Sequence, residues 1–337
     1  MTQIPPILSE VEFPNSLEPF FQRLKQIIPE QNLDDTIRSF YTDKAVTFRI
    51  NSSLASGQDL NEIFKKYGFH AQAINDFPGC YEIPFSQKSK LTHSEFFEKG
   101  HCYIQNLSSM LPALILNPTK TDRVLDIAAA PGSKTTLLAN LMENQGWISA
   151  VEINKPRFHK LLNNLKQQNI LNTHTYLMDG GNVWKKCPEQ FDKILVDAPC
   201  SSESRFNLND PKTYSHWSER KVKEMQKKQL RLLFSAILSC KVSGEIVYST
   251  CSFSVEENEW VINKMLKKFS NKLTILDINI NVKNTQAGLK TWKSKKFDPQ
   301  LEKCMRILPT ERMEGFFICK LKKTESTNRK KNEFTLS

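Results

Sequence analysis

Two cysteines of this 337-residue chain stand just past short apolar runs: Asp197-Ala-Pro199-Cys200-Ser-Ser and Tyr248-Ser-Thr250-Cys251-Ser252. A thiolate is a strong nucleophile even when only a modest fraction is ionised. An isolated cysteine is usually an inert, buried thiol. Two cysteines past neighbouring strand ends would instead face one spot, where a nucleophile and a second thiol could act on one substrate. The other six, at 80, 102, 187, 240, 304 and 319, form no C-x-x-C pair and no Cys/His cluster with zinc spacing. No metal is expected, and with no secretion signal no disulfides are expected.

A second set of residues suits a cofactor. In Val124-Leu-Asp126-Ile-Ala128-Ala129-Ala130-Pro131-Gly132-Ser133-Lys134-Thr135 an apolar strand ends in small residues and a helix begins. Small side chains let backbone N–H groups approach a ligand, and a helix N-terminus favours its negative groups. This is neither a Walker loop nor a full G-x-G-x-x-G, and alone it fits a plain tight connection equally well. The following strand ends add Glu152, Asp179 and Asp197. Acids at such positions accept hydrogen bonds from ribose hydroxyls, so the four strand ends together indicate a nucleoside-containing cofactor.

The elements that must position these groups read as two units. Helical spacing at Ser16–Ile28, a strand at Ala45–Asn51, a helix at Gly57–Tyr67 and a strand at His70–Ile74 suggest a small α+β unit, with a polar linker at Gln87–Thr92. From about Glu95 onward, strands at Arg123–Ile127, Trp147–Val151, Thr173–Met178, Lys193–Asp197 and Glu245–Ser249 alternate with helices at Lys134–Met142, Pro156–Gln168 and Lys221–Leu238. That alternation predicts an α/β, parallel, doubly wound sheet. Two further strands are expected at Cys304–Leu308 and Phe316–Leu321, before a polar, frayed tail from Thr324.

Lysine and arginine number 47 against 36 acids, a net charge of +11, which favours a polyanionic partner such as nucleic acid. A lysine-rich but ordinary soluble protein is the plainer explanation of that charge. No run of apolar residues is long enough to span a membrane, and Met1–Phe13 reads as no targeting segment, so a cytoplasmic protein is expected. The basic segment 218–231 suits an RNA backbone or a solvated helix face. Arg157 could meet a cofactor carboxylate, and His101, Tyr103 and Phe206 could stack on bases or simply pack.

The stretches LDIAAAPGSKT, VEINKPR, ILVDAPCSS and YSTCSFSVEEN, with RIN at 49–51, QNLSSMLP at 105–112, DG at 179–180 and RILPTERMEGFF at 306–317, resemble the RNA 5-methylcytosine methyltransferases of the Fmu/Sun type. DAPC together with STCS is the most specific part. The resemblance implies a Rossmann-like class I S-adenosyl-L-methionine-dependent methyltransferase sheet over 93–323. Before it comes a small N-terminal α+β (RRM-like) RNA-binding domain over 1–92, and after it a polar tail over 324–337. It implies S-adenosyl-L-methionine held by Ala128 through Lys134, Glu152, Asp179 and Asp197. In the implied chemistry Cys251 adds to carbon 6 of cytosine, Asp197 meets the base edge, Cys200 helps remove the carbon 5 proton and Lys134 orders the cluster. The expected partner is RNA, with small-subunit (16S) rRNA ahead of tRNA, and no metal or membrane, for a monomer. DNA methylation from Cys200 and a non-catalytic ribosome-assembly role are the competing readings. Ser202-Glu-Ser-Arg205 departs from the E-G that commonly follows DAPCSG, as do Gly132-Ser133 and CKVSG at 240–244 from their usual glycine-rich forms.

Overall fold

A computed structural model of the chain describes residues 14–327, apart from 56 and 58. The two ends, including most of the expected tail, lie outside the described residues. In chain order come α1 (Glu18–Ile27), α2 (Glu30–Arg38), β1 (Val46–Ile50), α3 (Leu60–Tyr67), β2 (Gln72–Ala73), β3 (Cys80–Ile83), α4 (Lys88–Thr92), α5 (Glu95–Glu98) and β4 (Cys102–Ile104). Next are α6 (Leu107–Leu116), β5 (Arg123–Asp126), α7 (Ser133–Leu141), β6 (Trp147–Glu152), α8 (Lys155–Gln167), β7 (Thr173–Leu177) and β8 (Phe191–Asp197). The chain continues through α9 (Glu219–Ser239), β9 (Cys240–Thr250), α10 (Glu259–Lys268), β10 (Leu273–Leu276), β11 (Thr285–Ala287), β12 (Thr291–Trp292), β13 (Lys295–Lys296), β14 (Met305–Ile307) and β15 (Phe316–Lys323).

The large sheet runs β11-β14-β15-β9-β8-β5-β6-β7, with β10 on β15. Its centre, β9-β8-β5-β6-β7, is parallel, and β15 joins β9 antiparallel with Phe317 opposite Thr250. The predicted doubly wound α/β sheet is present. Strand order reverses between β5 and β8, and open parallel sheets bind ligands outside the carboxyl ends of their strands at such a point. Val124, Leu125, Ile194, Leu195, Ile246 and Val247 are buried on both faces, as a covered parallel sheet requires.

The small sheet, β2-β3-β1-β4, is antiparallel and takes its last strand from residues 102–104. Helices α1 and α2 do not pack on it. Phe20 and Phe21 turn towards the large sheet, where Phe20 meets Phe206 and Trp217 edge-on at 5.1 and 5.7 Å and the tilted ring of Phe253 at 6.5 Å. The N-terminal helices thus form a floor beneath the segments that follow β8 and β9. Two buried polar residues join the small sheet to the large one. Arg49 on β1 donates to Thr136 Oγ1 at 2.6 Å and to the Ser133 carbonyl at 3.3 Å, and Asn51 donates to the Gln168 carbonyl at 2.9 Å.

The tail begins differently from the expectation. Thr327 is buried, and its N–H and hydroxyl reach Glu189 and the buried Lys323, so residues 324–327 are anchored rather than frayed. No helix among the described residues is long and apolar enough to cross a membrane.

Candidate active site

β8 and β9 run parallel with Asp197 beside Ser249, so the residues just past them leave the sheet edge together. The Cys200 and Cys251 sulfurs lie 3.2 Å apart. Sharing one proton, they separate in acidity. The bond from Cys200 holds the Cys251 thiol down to about 7 against its burial, helped by the Arg205 guanidinium. The same bond and burial push Cys200 well up. Cys251 is therefore the more acidic thiol of the pair, and Cys200 the one that keeps its proton to higher pH.

Lys134, at the start of α7, donates to Asp197 Oδ2 at 2.7 Å and to Ser109 Oγ at 2.8 Å. Asp197 also accepts from the Ser249 hydroxyl at 2.9 Å, which leaves a half-exposed carboxylate fixed from two sides next to the sulfurs. Deeper in, Asp126 is buried, takes the Thr135 hydroxyl at 2.7 Å and leaves Oδ1 without a partner. Burial raises its pKa to about 7.

The two cysteine segments are fastened by buried acids that sequence reasoning did not single out. Glu203 Oε2 accepts from the Phe253 and Ser254 N–H groups at 2.8 Å each and from Ser252 Oγ at 2.9 Å, while Oε1 takes the Trp217 indole at 2.8 Å. Glu257 accepts from Ser201 N at 3.0 Å and Gln229 Nε2 at 2.8 Å on one oxygen, and its other oxygen meets Ser252 Oγ at 2.8 Å and the Ser201 hydroxyl. Ser252 bonds both acids, so the segments after Cys200 and Cys251 are one cross-linked unit. Burial, reinforced by Glu203, pushes the Glu257 carboxyl up to about 8. The departure at Ser202–Arg205 thus supplies two working groups: Glu203 as the clamp and Arg205 as a charge near Cys251.

A cleft of about 630 Å³ opens at the switch point. Of the residues expected to form a site, Ala128, Ala130, Pro131, Ser133, Lys134, Glu152, Asp179, Asp197, Cys200 and Cys251 all line it. Ala129 and Gly132 do not. Ala129 packs inward with Ala150, Leu161 and Leu165. Gly132 has φ +108°, and a Cβ there would press on Leu161 at 3.0 Å, so glycine is what lets the turn lie close to α8. Glu152 is buried; its Oε1 takes the Asn154 N–H at 2.8 Å and its Oε2 pairs loosely with Arg157 at 3.8 Å, which leaves acceptor capacity towards the cleft. Asp179 accepts from Gly181 N at 2.9 Å and Arg231 Nη2 at 2.6 Å. Arg157 donates to the Ala130 carbonyl. Ser109 and Arg205 line the cleft without having been expected to, and Lys228 and Arg231 bring the basic 218–231 segment to its edge.

The aromatic expectations fare differently. Phe206 is buried in the floor against Phe20, Tyr214 and His216, with no face left for a base. Tyr103 lies under the Arg49 guanidinium at 5.0 Å, and His101 meets Phe96 edge-on at 5.7 Å.

The family model for the 16S rRNA methyltransferase RsmB/F matches residues 113–322. The chain belongs to that family. Membership agrees with the Fmu/Sun-type resemblance read from the motifs. A ribosomal RNA small subunit methyltransferase F of Cronobacter sakazakii is 32% identical over 314 residues, covering 92% of this chain and 63% of the relative. A mouse 28S rRNA (cytosine-C(5))-methyltransferase is 31% identical across 89% of this chain but only 38% of its own length. The chain thus spans less than two thirds of these rRNA relatives. A tRNA (cytosine(49)-C(5))-methyltransferase of Pyrococcus abyssi is 36% identical over 65% of this chain and 69% of its own. Among solved structures, a methyltransferase homolog protein from Pyrococcus horikoshii superposes with a TM-score of 0.76 at 30% identity, covering 90% of this chain and 94% of that one. The family's class I methyltransferase fold is therefore the fold of this chain.

Proposed function

We propose that this protein transfers a methyl group from S-adenosyl-L-methionine to carbon 5 of a cytosine in RNA, by covalent catalysis from Cys251 with Cys200 as the release residue. The observation that carries the proposal is the 3.2 Å approach of two unequal thiols beside the Lys134–Asp197 pair, at the mouth of the switch-point cleft.

The cleft's residues fit the cofactor. The small side chains of Ala128 and Ala130 leave room in the cleft for the cofactor. Glu152 keeps acceptor capacity for ribose hydroxyls, and Asp179 stands at the next strand end for the nucleoside. When bound, S-adenosyl-L-methionine supplies an electrophilic methyl group. Everything else falls to the chain's own side chains. Cys251, as thiolate, would form a bond to carbon 6 and send an electron pair into the ring, making carbon 5 nucleophilic. Asp197, backed by the Lys134 ammonium, would hydrogen-bond the base edge where charge develops. Once Cys251 is bonded to carbon 6 it no longer raises Cys200, which would release its own thiol proton to solvent and, as thiolate, take the carbon 5 proton after methylation; the sulfur–carbon 6 bond then breaks and Cys251 leaves with its electron pair. The Glu203–Ser252–Glu257 cross-link would hold the two sulfurs in register throughout.

Small-subunit (16S) rRNA is the substrate we infer, supported by the family match and by the likeness to small subunit methyltransferase F. The N-terminal unit with the four-stranded sheet would help hold the RNA. A tRNA substrate is favoured by one observation, the 36% identity to the tRNA enzyme over 69% of that enzyme's length. Incubating the protein with transcribed 16S rRNA, a tRNA pool and duplex DNA in methyl-labelled S-adenosyl-L-methionine, then digesting to nucleosides, tests the proposal. Label in 5-methylcytidine from rRNA is the expected outcome. Label only from tRNA shifts the substrate, and label in DNA or in no nucleoside overturns the proposal.

A further inference from the structure

The basic segment on α9 is partly neutralised within the protein. Lys221 and Lys228 pair with Glu224 at 3.1 and 2.7 Å, and Arg231 pairs with Asp179. A different basic surface is not. The β12–β13 hairpin carries Lys290, Lys293, Lys295 and Lys296, all exposed, and the exposed Lys264 and Lys267 stand beside it on α10. Among the described residues only Lys290 of these six has a carboxylate partner, Glu302 at 2.9 Å. Lys264, Lys267, Lys295 and Lys296 surround a groove of about 440 Å³ with Trp260 and Phe297 in its wall, and it shares no lining residue with the active-site cleft.

The hairpin is held in place rather than loosely attached. Trp292 is buried and donates its indole N–H to Glu256 Oε1 at 3.3 Å, in the segment that follows Cys251. Phe297 packs edge-on to Trp260 at 6.2 Å, and the Lys295 ammonium sits over the Trp260 ring at 4.3 Å. Like charges kept together without counter-charges repel, and a polyanion that binds them releases condensed counterions. A groove lined by lysines, with an indole in its wall, has the chemistry of a nucleic-acid backbone track.

We propose that the groove between α10 and the β12–β13 hairpin binds the phosphate backbone of RNA at a point separate from the cleft. The proposal rests on the reading of RNA as substrate given above. It would place a second hold on the substrate next to the segment that carries the nucleophile, so that affinity for long RNA depends on residues remote from the chemistry.

The test is a Lys267→Gln/Lys295→Gln/Lys296→Gln variant of the full chain, with binding of a labelled stem-loop RNA followed by anisotropy across a salt series. Each lost phosphate contact removes about 0.7–0.9 from the slope of log affinity against log salt, so for three contacts a slope shallower by about 2–3 is expected. Affinity for S-adenosyl-L-methionine and the near-ultraviolet circular dichroism should match wild type, which shows the variant is folded. In methyl transfer, KM for RNA should rise with kcat unchanged. Lysine acetylation of the wild-type protein, read by mass spectrometry, should show Lys264, Lys267, Lys295 and Lys296 protected by the RNA. A shallower slope together with this protection supports the groove even if wild type methylates no RNA, an outcome that would sink only the catalytic reading. An unchanged slope, unprotected lysines, or loss of binding to phosphatidylserine vesicles with RNA binding intact overturns the proposal.

Discussion

Replacing Cys200 by alanine removes the hydrogen bond that contributes most to holding Cys251 as a thiolate. Burial and Arg205 then oppose each other, and the thiol should return from about 7 towards the ordinary range near 9. At pH 7 the ionised fraction would fall from about one half to about one per cent, roughly 50-fold. A thiolate of higher pKa is also a better nucleophile, by about eightfold for a two-unit rise. The net expectation is that Cys251 alkylates about sixfold more slowly than wild type at pH 7 and about eightfold faster at pH 10, with the profiles crossing near pH 8. The assay is iodoacetamide labelling of the Cys251 peptide, followed by mass spectrometry across that range. Cys200→Ser, whose hydroxyl can still donate to the thiolate, should stay close to wild type. If the alanine variant gives a wild-type profile, Cys200 does not set the ionisation of Cys251, and the division of labour between the two thiols loses its physical basis.

Glu152→Ala should weaken S-adenosyl-L-methionine binding by roughly 1.5–3 kcal/mol, the scale of a charge-assisted hydrogen bond; unchanged affinity by calorimetry in a folded variant would remove Glu152 from the site. Glu257 is raised when folded to about 8, so the folded state holds a proton that the unfolded state has lost above its ordinary value. Its contribution is therefore full in acid, below the unfolded pKa, and declines as pH rises from about 4.5 to about 8. Glu257→Gln keeps acceptors for Ser201 N and Gln229 and can donate to the two serine hydroxyls. Urea unfolding should show the variant gaining on wild type between pH 5 and pH 8 by on the order of a few kcal/mol. A constant difference across that window would mean that Glu257 is ionised in the folded protein.

Much of the site was legible because the central strands are short apolar runs with chemistry-bearing residues immediately after them. VLD, SAVE and ILVD mark strands β5, β6 and β8 and bring Ala128, Glu152 and Asp197 to one sheet edge by topology alone. The partners that tune those residues were not legible, because they come from distant segments. Ser109 meets Lys134 from α6, and α6 itself shows no amphipathic period since nearly every residue of it is buried. Glu203 and Glu257 carry no spacing signal in the sequence, and only the fold shows that backbone N–H groups and serines surround them. Helix α1 showed its apolar stripe, but the stripe does not say which sheet it meets; Phe20 is spent on Phe206 and Phe253, which also removes Phe206 from any role with a base.

The division between nucleophile and release residue is tested most directly by a denaturing gel of protein incubated with substrate RNA and S-adenosyl-L-methionine. The experiment belongs near pH 9, where about half of Cys251 is ionised even without its partner. Adduct formation needs Cys251, and breakdown needs the carbon 5 proton to leave through Cys200. Cys200→Ala should therefore give a denaturation-resistant protein–RNA band that carries the methyl label, while Cys251→Ala gives neither band nor methylation. A band with Cys251→Ala instead, or methylation by both variants with no band from either, would contradict the account.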